Sequence, residues 1–575
     1  MFDVKIIGAT LVDGTGAPAR AADVGVTGNR ITTVAEPGAL AGDAAATTVD
    51  GDGLVLAPGF VDPHTHYDAQ LHWDPFATPS NVHGVTSVIG GNCGFTLAPL
   101  RPDAADYTRR MMAKVEGMPL AALEQGVPWN WHTFGEFLDR LEGGIAVNAG
   151  FLVGHCAIRR YVMREASVGE KATDAQIDEM VGLLHESIEA GGLGFSTTLS
   201  HTHSDGDGQP VPSRWASNEE VLALAGAVRD HDGTSIEAIV SGCLDMFSDD
   251  EIELLSKMSA AGHRPLNWNV LTVDSRVPQR VPRQLEAGTR SAELGGRVVA
   301  LTMPTIVPMN MSFGTYCALF MIPGWGDVMN LPVAQRIERL RDPAVRAELD
   351  SKANSPDAGV FRRLAAWGAY IIGDTYAPAN AGLNMRRVSE IAAERGQDNF
   401  DCLLDIVIAD DLRTILWPIA SDGDDASWAL RADAWADPRV MLGGSDAGAH
   451  LDRMCGAPYT TRFLGDMLRG RKLVSLERAV QLITDDPARL FGLVDRGRVA
   501  EGLFADLVLF DPDTIASENA HLVADLPGDS VRLTAGSVGV EHVFVNGVET
   551  VRSGAATGAV PGTVLRSGRD TKTPV

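Results

Sequence analysis

The sequence predicts an α/β protein: a (β/α)8 TIM-type barrel carrying a small β-sandwich built from both chain termini. Three observations lead there. Short apolar strands alternate with amphipathic helical stretches through the middle of the chain. Antiparallel hairpin patterns are confined to its two ends. No GxGxxG follows the first strand to favour an open, dinucleotide-binding sheet.

The N-terminal segment alternates apolar and polar residues from Val4 to Leu11 and again over Asp23-Val24-Gly25-Val26-Thr27, before the turn pair Gly28-Asn29. The same pattern returns in Ala505 to Phe510 and in Val543-Phe544-Val545 before Asn546-Gly547. Isolated hairpins are marginal in water, so the two ends are expected to pair with each other. This divides the chain into sandwich halves at 1–57 and 491–553, a barrel at 58–490 and a weakly ordered tail at 554–575. Within the barrel, Thr173-Asp174-Ala175-Gln176 reads as a capping box, followed by a helix with Ile177, Met180, Val181, Leu184 and Ile188 on one face. Gly191-Gly192 stops that helix, and the next strand begins at Gly194. Ser217 to Glu220 opens another helix, and Ser235 to Val240 a further strand. The Trp- and Asp-rich stretch from about Leu416 to Pro438 reads as a loop or insertion.

Composition narrows the function. The 575 residues are 45% hydrophobic and 21% charged, without an apolar run of membrane-spanning length. The start has neither the basic region nor the apolar stretch of a secretory signal, so a soluble, cytoplasmic protein is expected. A net charge of -27 argues against nucleic acid and anionic membranes as partners. Six scattered cysteines without a CxxC pair indicate neither a disulfide framework nor a zinc knuckle. A small-molecule substrate is expected, and the sequence admits a homo-oligomer.

The chemistry gathers at a few positions. Gly59-Phe60-Val61-Asp62-Pro63-His64-Thr65-His66 ends an apolar strand in two imidazoles that share a face, as two ligands of one divalent ion would. Such a pair also occurs as plain structural or surface histidines. Val440-Met441-Leu442-Gly443-Gly444-Ser445-Asp446 ends a late strand in a carboxylate able to bind a metal and accept a proton from water, although an isolated Asp there equally reads as a turn or cap residue. Ser200-His201-Thr202-His203 offers a second HxH on a polar loop, as a ligand or a substrate contact, and Arg214 on the same loop could clamp a carboxylate. His155 and Arg159 follow the strand Phe151-Leu152-Val153, with pocket or core roles both open, and His450 could serve a leaving group or Asp446. No nucleophile elbow and no phosphate loop is present.

Taken together, the paired termini, His64-Thr65-His66 and Asp446 resemble the amidohydrolase superfamily. Within it, Gly91-Asn92-Cys93-Gly94, Val153-Gly154-His155-Cys156-Ala157-Ile158-Arg159 and Asp485-Asp486-Pro487-Ala488-Arg489-Leu490-Phe491-Gly492-Leu493 resemble the N-acyl-D-amino-acid deacylase (D-aminoacylase) group. The resemblance implies metal contacts from His64, His66, Cys93 and Asp446, with Asp446 as general base. It also exposes a departure: that group completes a second metal position with two histidines, where this chain has Glu237 and Asn269, and it carries a lysine where this chain has Val270 or a neighbour. One zinc ion is therefore expected in preference to two, with Glu237 and Asn269 grouped among the substrate-side residues. The expected reaction is hydrolysis of an amide C–N bond in a small molecule. The rivals are a cyclic-amide or lactone hydrolase, a metal-dependent lyase on the same fold, and a non-catalytic scaffold.

Overall fold

The computed structural model describes residues 1–314, 317–418 and 422–574. They divide into two compact units, Met1–Thr305 with Asp425–Leu451 and Cys455–Val575, and Ile306–Asp424 with Asp452–Met454.

The larger unit is α/β. Its parallel strands are β1 (Phe60–Asp62), β2 (Val85–Gly90), β3 (Asn148–Phe151, resuming at Val153–Gly154), β4 (Gly194–Thr198), β5 (Ser235–Ile239), β6 (Pro265–Trp268), β7 (Arg297–Thr302) and β8 (Val440–Leu442). Each pairs in parallel with its sequence neighbour in this set, from Val61 opposite Ser87 to Thr302 opposite Leu442. Just past their ends, Thr65 and Ala447 form a parallel bridge, with the His66 N–H donating to the Ala447 carbonyl at 2.7 Å. β2 to β4 are buried at every position, with β-branched and small residues on both faces, the composition of strands covered on two sides. The expected capping box at Thr173 is formed, with the Gln176 N–H donating to Thr173 Oγ1, and Ser217 caps the helix Asn218–Ala227.

Both chain ends enter one nine-stranded mixed sheet. Phe2–Leu11 pairs with Arg20–Thr27 and with Val55–Pro58, and Leu507–Phe510 joins that last strand, antiparallel, to Val540–Val545. The turns at Gly28-Asn29 and Asn546-Gly547 each link antiparallel neighbours.

Two expectations change. The segment 554–575, described to residue 574, is packed: Val564 and Leu565 are fully buried and pair in parallel with Ala149 and Gly150 of β3, and Thr571 Oγ1 donates to the Gly233 carbonyl at 2.6 Å. Its Gly-, Thr- and Ala-rich composition hid a two-residue strand too short to show a period. Of the loop expected over about 416–438, residues 419–421 lie outside the described ones, while Asp425–Trp435 is a helix that buries Trp428 and Trp435. Trp435 meets Phe463 edge-on at 5.5 Å. The true insertion precedes that helix. It is the smaller unit, which has its own core of Trp325, Trp367, Tyr370, Phe400 and aliphatic neighbours, and whose helices include Pro343–Asn354 and Asn399–Ala409. No helix among the described residues is long and apolar enough to cross a membrane.

Candidate metal centre and active site

The C-terminal ends of the parallel strands deliver the chemically active side chains to one place. His64 and His66 follow β1, Cys93 follows β2, Asn269 follows β6 and Asp446 follows β8, while Glu237 projects from within β5. One nitrogen of each histidine and the Cys93 sulfur lie within 4.8 Å of one another, and all three residues are buried. Asp446 Oδ1 is 3.0 Å from His66 Nε2 and 3.6 Å from His64 Nε2, and Cys93 Sγ is 3.6 Å from His64 Nε2. Two donors that each sit about 2.1 Å from one ion in tetrahedral geometry are roughly 3.4 Å apart, so these separations suit a shared cation.

The backbone is bent to make this meeting. Cys93 (φ 55°), Asp446 (φ 59°) and His450 (φ 52°) all occupy the left-handed region, which non-glycine residues adopt at a cost of about 1–3 kcal/mol each. Gly91 (φ 72°) permits the turn that carries Cys93, since a Cβ there would lie 2.1 Å from the Leu152 carbonyl oxygen. At Gly448 (φ 91°) a Cβ would lie 2.5 Å from the His66 carbonyl oxygen, so only glycine lets the loop after β8 close against His66. Asp62 fastens the same two loops, its Oδ1 accepting the N–H groups of Ser445 (3.3 Å) and His64 (3.4 Å).

The electrostatics favour a positive charge in this cluster. Burial alone would lower the His66 pKa. The carboxylates of Glu116, Asp446 and Asp68 outweigh it and push the imidazole up to about 10. Burial and the neighbouring His66 hold His64 down to about 3 against the pull of Asp446. Burial would raise Asp446, but the hydrogen bond from His66 and the charges of His66, His450 and His64 keep its carboxyl well below the usual range. Burial and the carboxylates of Glu237, Glu116 and Asp446 push the Cys93 thiol well above its ordinary value. A divalent cation meets all of these demands at once: it satisfies the carboxylates, takes the neutral imidazoles and stabilises a thiolate. The donor set fits zinc, which accepts mixed nitrogen, sulfur and oxygen ligands.

Glu237 and Asn269 also reach the cluster. Glu237 is fully buried; its Oε2 accepts the Cys93 N–H at 2.7 Å, and its Oε1 is 3.9 Å from Cys93 Sγ. Burial raises its pKa to about 8, with the Cys93 N–H and His66 opposing and Asp446 and Glu116 adding to the rise. Asn269 Nδ2 lies 3.3 Å from His64 Nε2 and 3.8 Å from Cys93 Sγ. On the open side, His450 Nε2 is 3.4 Å from Asp446 Oδ2. His203 accepts a place beside Phe95, with ring centroids 5.3 Å apart, and its Nδ1 is 2.8 Å from Thr198 Oγ1. Burial and the charges of His450, His66 and Arg214 lower it to about 3, against Asp446. Arg214 Nη1 donates to the His203 carbonyl at 2.9 Å and is partly exposed.

Three of the residues expected near substrate are placed elsewhere. His155 and Arg159 are fully buried against Glu220: His155 Nε2 donates to Glu220 Oε1 at 2.9 Å, and Arg159 Nη1 reaches both carboxylate oxygens at 2.7 and 2.5 Å. Thr197 Oγ1 and His155 Nδ1 are 2.8 Å apart, which completes the ring's bonding. The helix His155–Met163 turns these side chains into the layer between strands and helices rather than into the cluster. His201 is exposed, and its backbone N–H is bonded to Ser241 Oγ, so only the second histidine of that HxH faces the site.

One residue of the cluster lacks a strand-end signature. Glu116 caps the C-terminus of the helix Ala105–Val115, is buried, and holds Oε2 3.7 Å from His66 Nε2. Its carbonyl accepts the His450 N–H. An acid at a helix C-terminus opposes the helix dipole, and that local conflict is the signal that could have marked it.

The amidohydrolase family model matches residues 47–551, and the chain belongs to that family. It is thus a hydrolase of carbon–nitrogen bonds other than peptide bonds. It is similar to the D-aminoacylase of Alcaligenes xylosoxydans xylosoxydans, with 30% identity over 98% of this chain and 97% of that one. A solved D-aminoacylase, studied for its binuclear metal center with one-metal activation and second-metal attenuation, aligns at a TM-score of 0.63 and 26% identity, over 98% of this chain and 100% of that one. The N-acyl-D-glutamate deacylase of Bordetella bronchiseptica, complexed with zinc and a phosphonate mimic of the tetrahedral intermediate, aligns at a TM-score of 0.64 and 25% identity, over 98% and 99% of the two chains.

Proposed function

We propose that this protein is a zinc-dependent deacylase of N-acyl amino acids, D-configured in preference, working with one ion held by His64, His66 and Asp446 together with Cys93. The observation that carries the reading is the convergence of Asp446 Oδ1 on the Nε2 atoms of both histidines, beside the Cys93 sulfur. The eight parallel strands with the Thr65–Ala447 bridge support a closed (β/α)8 barrel, and the sheet shared by the chain ends supports the flanking sandwich. In such a barrel the C-terminal strand ends form the active-site face.

When bound, the ion supplies Lewis acidity, polarising the scissile carbonyl and making the attacking water more acidic. Asp446 is the general base: its carboxyl is held ionised, so it takes the water's proton and returns it to the leaving nitrogen. His450, 3.4 Å from Asp446 Oδ2, steadies the carboxylate through that cycle. Arg214, with no lysine after Asn269 to do so, receives the substrate carboxylate on the side marked by His203, where a guanidinium binds carboxylate bidentately. Glu237 and Asn269 hold the Cys93 turn from the other side.

The test is release of free amine from paired N-acetyl-D- and N-acetyl-L-amino acids by the wild type and by Arg214→Ala. The reading expects turnover of the D series and a KM raised about 10- to 100-fold in the variant with kcat largely kept, the loss of a charge-assisted bond made in ground and transition state alike. Turnover confined to cyclic amides or lactones would refute the assignment.

A further inference from the structure

The two ring nitrogens of His66 differ in what surrounds them. Nδ1 is buried and has no hydrogen-bond partner among the described residues. Nε2 faces Asp446 Oδ1 at 3.0 Å and Glu116 Oε2 at 3.7 Å. A carboxylate that merely orients a metal-ligating histidine bonds the nitrogen remote from the metal. Glu116 instead approaches the nitrogen that Asp446 also approaches, so both carboxylates lie on the side where the ion belongs.

The chain goes to some length to bring it there. Glu116 ends a helix outside the parallel strands, is buried, and is locked to the loop after β8 by the bond from the His450 N–H to its own carbonyl. That loop also carries Asp446, so one backbone hydrogen bond sets the spacing between the two carboxylates. The following Gly117 takes φ 59°, which lets the chain leave the helix directly after the carboxylate is in place.

We infer that Glu116 is a further metal-contacting carboxylate of this site, completing the His66–Asp446 side with an oxygen donor, while Cys93 serves the His64 side. This rests on the proposed metal site and adds a residue to it. Glu116 is the off-strand member of the donor set, and it couples occupancy of the ion to the seating of the helix Ala105–Val115 and the His450 loop.

The experiment measures the zinc dissociation constant of the full-length protein by competition with a chromophoric chelator, and the visible absorption of the cobalt-substituted protein, for the wild type, Glu116→Gln, Glu116→Asp and His66→Ala. The backbone bond to His450 survives all three substitutions, and circular dichroism checks that each variant is folded. The inference expects Glu116→Gln to bind zinc at least about 10-fold more weakly, with altered intensity of the cobalt bands, and Glu116→Asp to lie between it and the wild type. Wild-type affinity and an unchanged cobalt spectrum in folded Glu116→Gln, with binding abolished in His66→Ala, would overturn the role of Glu116 and leave the metal site standing. Unimpaired binding in His66→Ala would instead remove the site reading on which the inference rests.

Discussion

Replacing Glu220 by Gln should cost stability and leave the chemistry alone. Glu220, His155 and Arg159 are all fully excluded from water, and the carboxylate accepts one bond from His155 and two from Arg159. Burial opposes its ionisation, yet the bonds from His155 and Arg159 hold its carboxyl below the usual range, so the partners stabilise it as an anion. Glutamine keeps the shape and removes the charge, which leaves a buried guanidinium uncompensated. Breaking one half of a buried pair costs about 3–5 kcal/mol. Denaturant unfolding of the purified variant should show a loss of that size, while zinc content and kcat/KM of the folded fraction remain at wild-type values. Replacing all three residues together, as His155→Leu, Arg159→Met and Glu220→Leu, should recover most of the loss, because apolar groups of similar volume need no partner. A Glu220→Gln protein of unchanged stability whose KM has risen would refute the reasoning and return His155 and Arg159 to the substrate pocket.

Two further expectations concern the frame. His83 is buried between Thr461 Oγ1 (2.8 Å) and the Ala535 carbonyl (3.0 Å), and its pKa is lowered to about 4, chiefly by burial with the charge of Arg462 adding and the Ala535 bond opposing. Its folded pKa lies below the unfolded value near 6.5, so its contribution is complete above about pH 6.5 and lost as pH falls toward 4. The stability advantage of wild type over His83→Gln should therefore shrink by about 3 kcal/mol between pH 7 and 4 in parallel denaturation series; a pH-independent difference would contradict this. Truncation after Ser553 removes Val564 and Leu565 from full burial beside β3, each worth about 1.5–3 kcal/mol. The shortened protein should unfold at lower denaturant concentration, and an unchanged midpoint would show that the segment is dispensable.

What could be read from the chain depended on how local the signal was. His64, His66 and Asp446 sit just beyond apolar strands that end abruptly, and strand periodicity together with the expected (β/α)8 layout is enough to aim them at one point. Thr173 and Ser217 were legible because a cap is written within four residues. Glu116 was not, because its placement beside His66 depends on where a helix end meets the loop carrying His450, a contact between segments more than 300 residues apart. His155 and Arg159 follow a strand end just as the proposed metal-site residues do; what separates them is Glu220, whose carboxylate on a later helix takes up their donors. The insertion escaped notice for a related reason, since its helices and two-residue strands repeat the βα pattern of the surrounding chain. Val564 and Leu565 are a strand only because β3 offers them a partner.

Metal content tests the central claim most directly. Wild type, His64→Ala and Asp446→Asn would be purified identically, analysed by plasma mass spectrometry, and assayed for N-acetyl-D-amino-acid hydrolysis during zinc titration. The account predicts about one equivalent of zinc in the wild type, activity that saturates with that equivalent, and loss of both in His64→Ala. Full hydrolytic activity in wild type stripped of metal, or an undiminished zinc equivalent in His64→Ala, would contradict it.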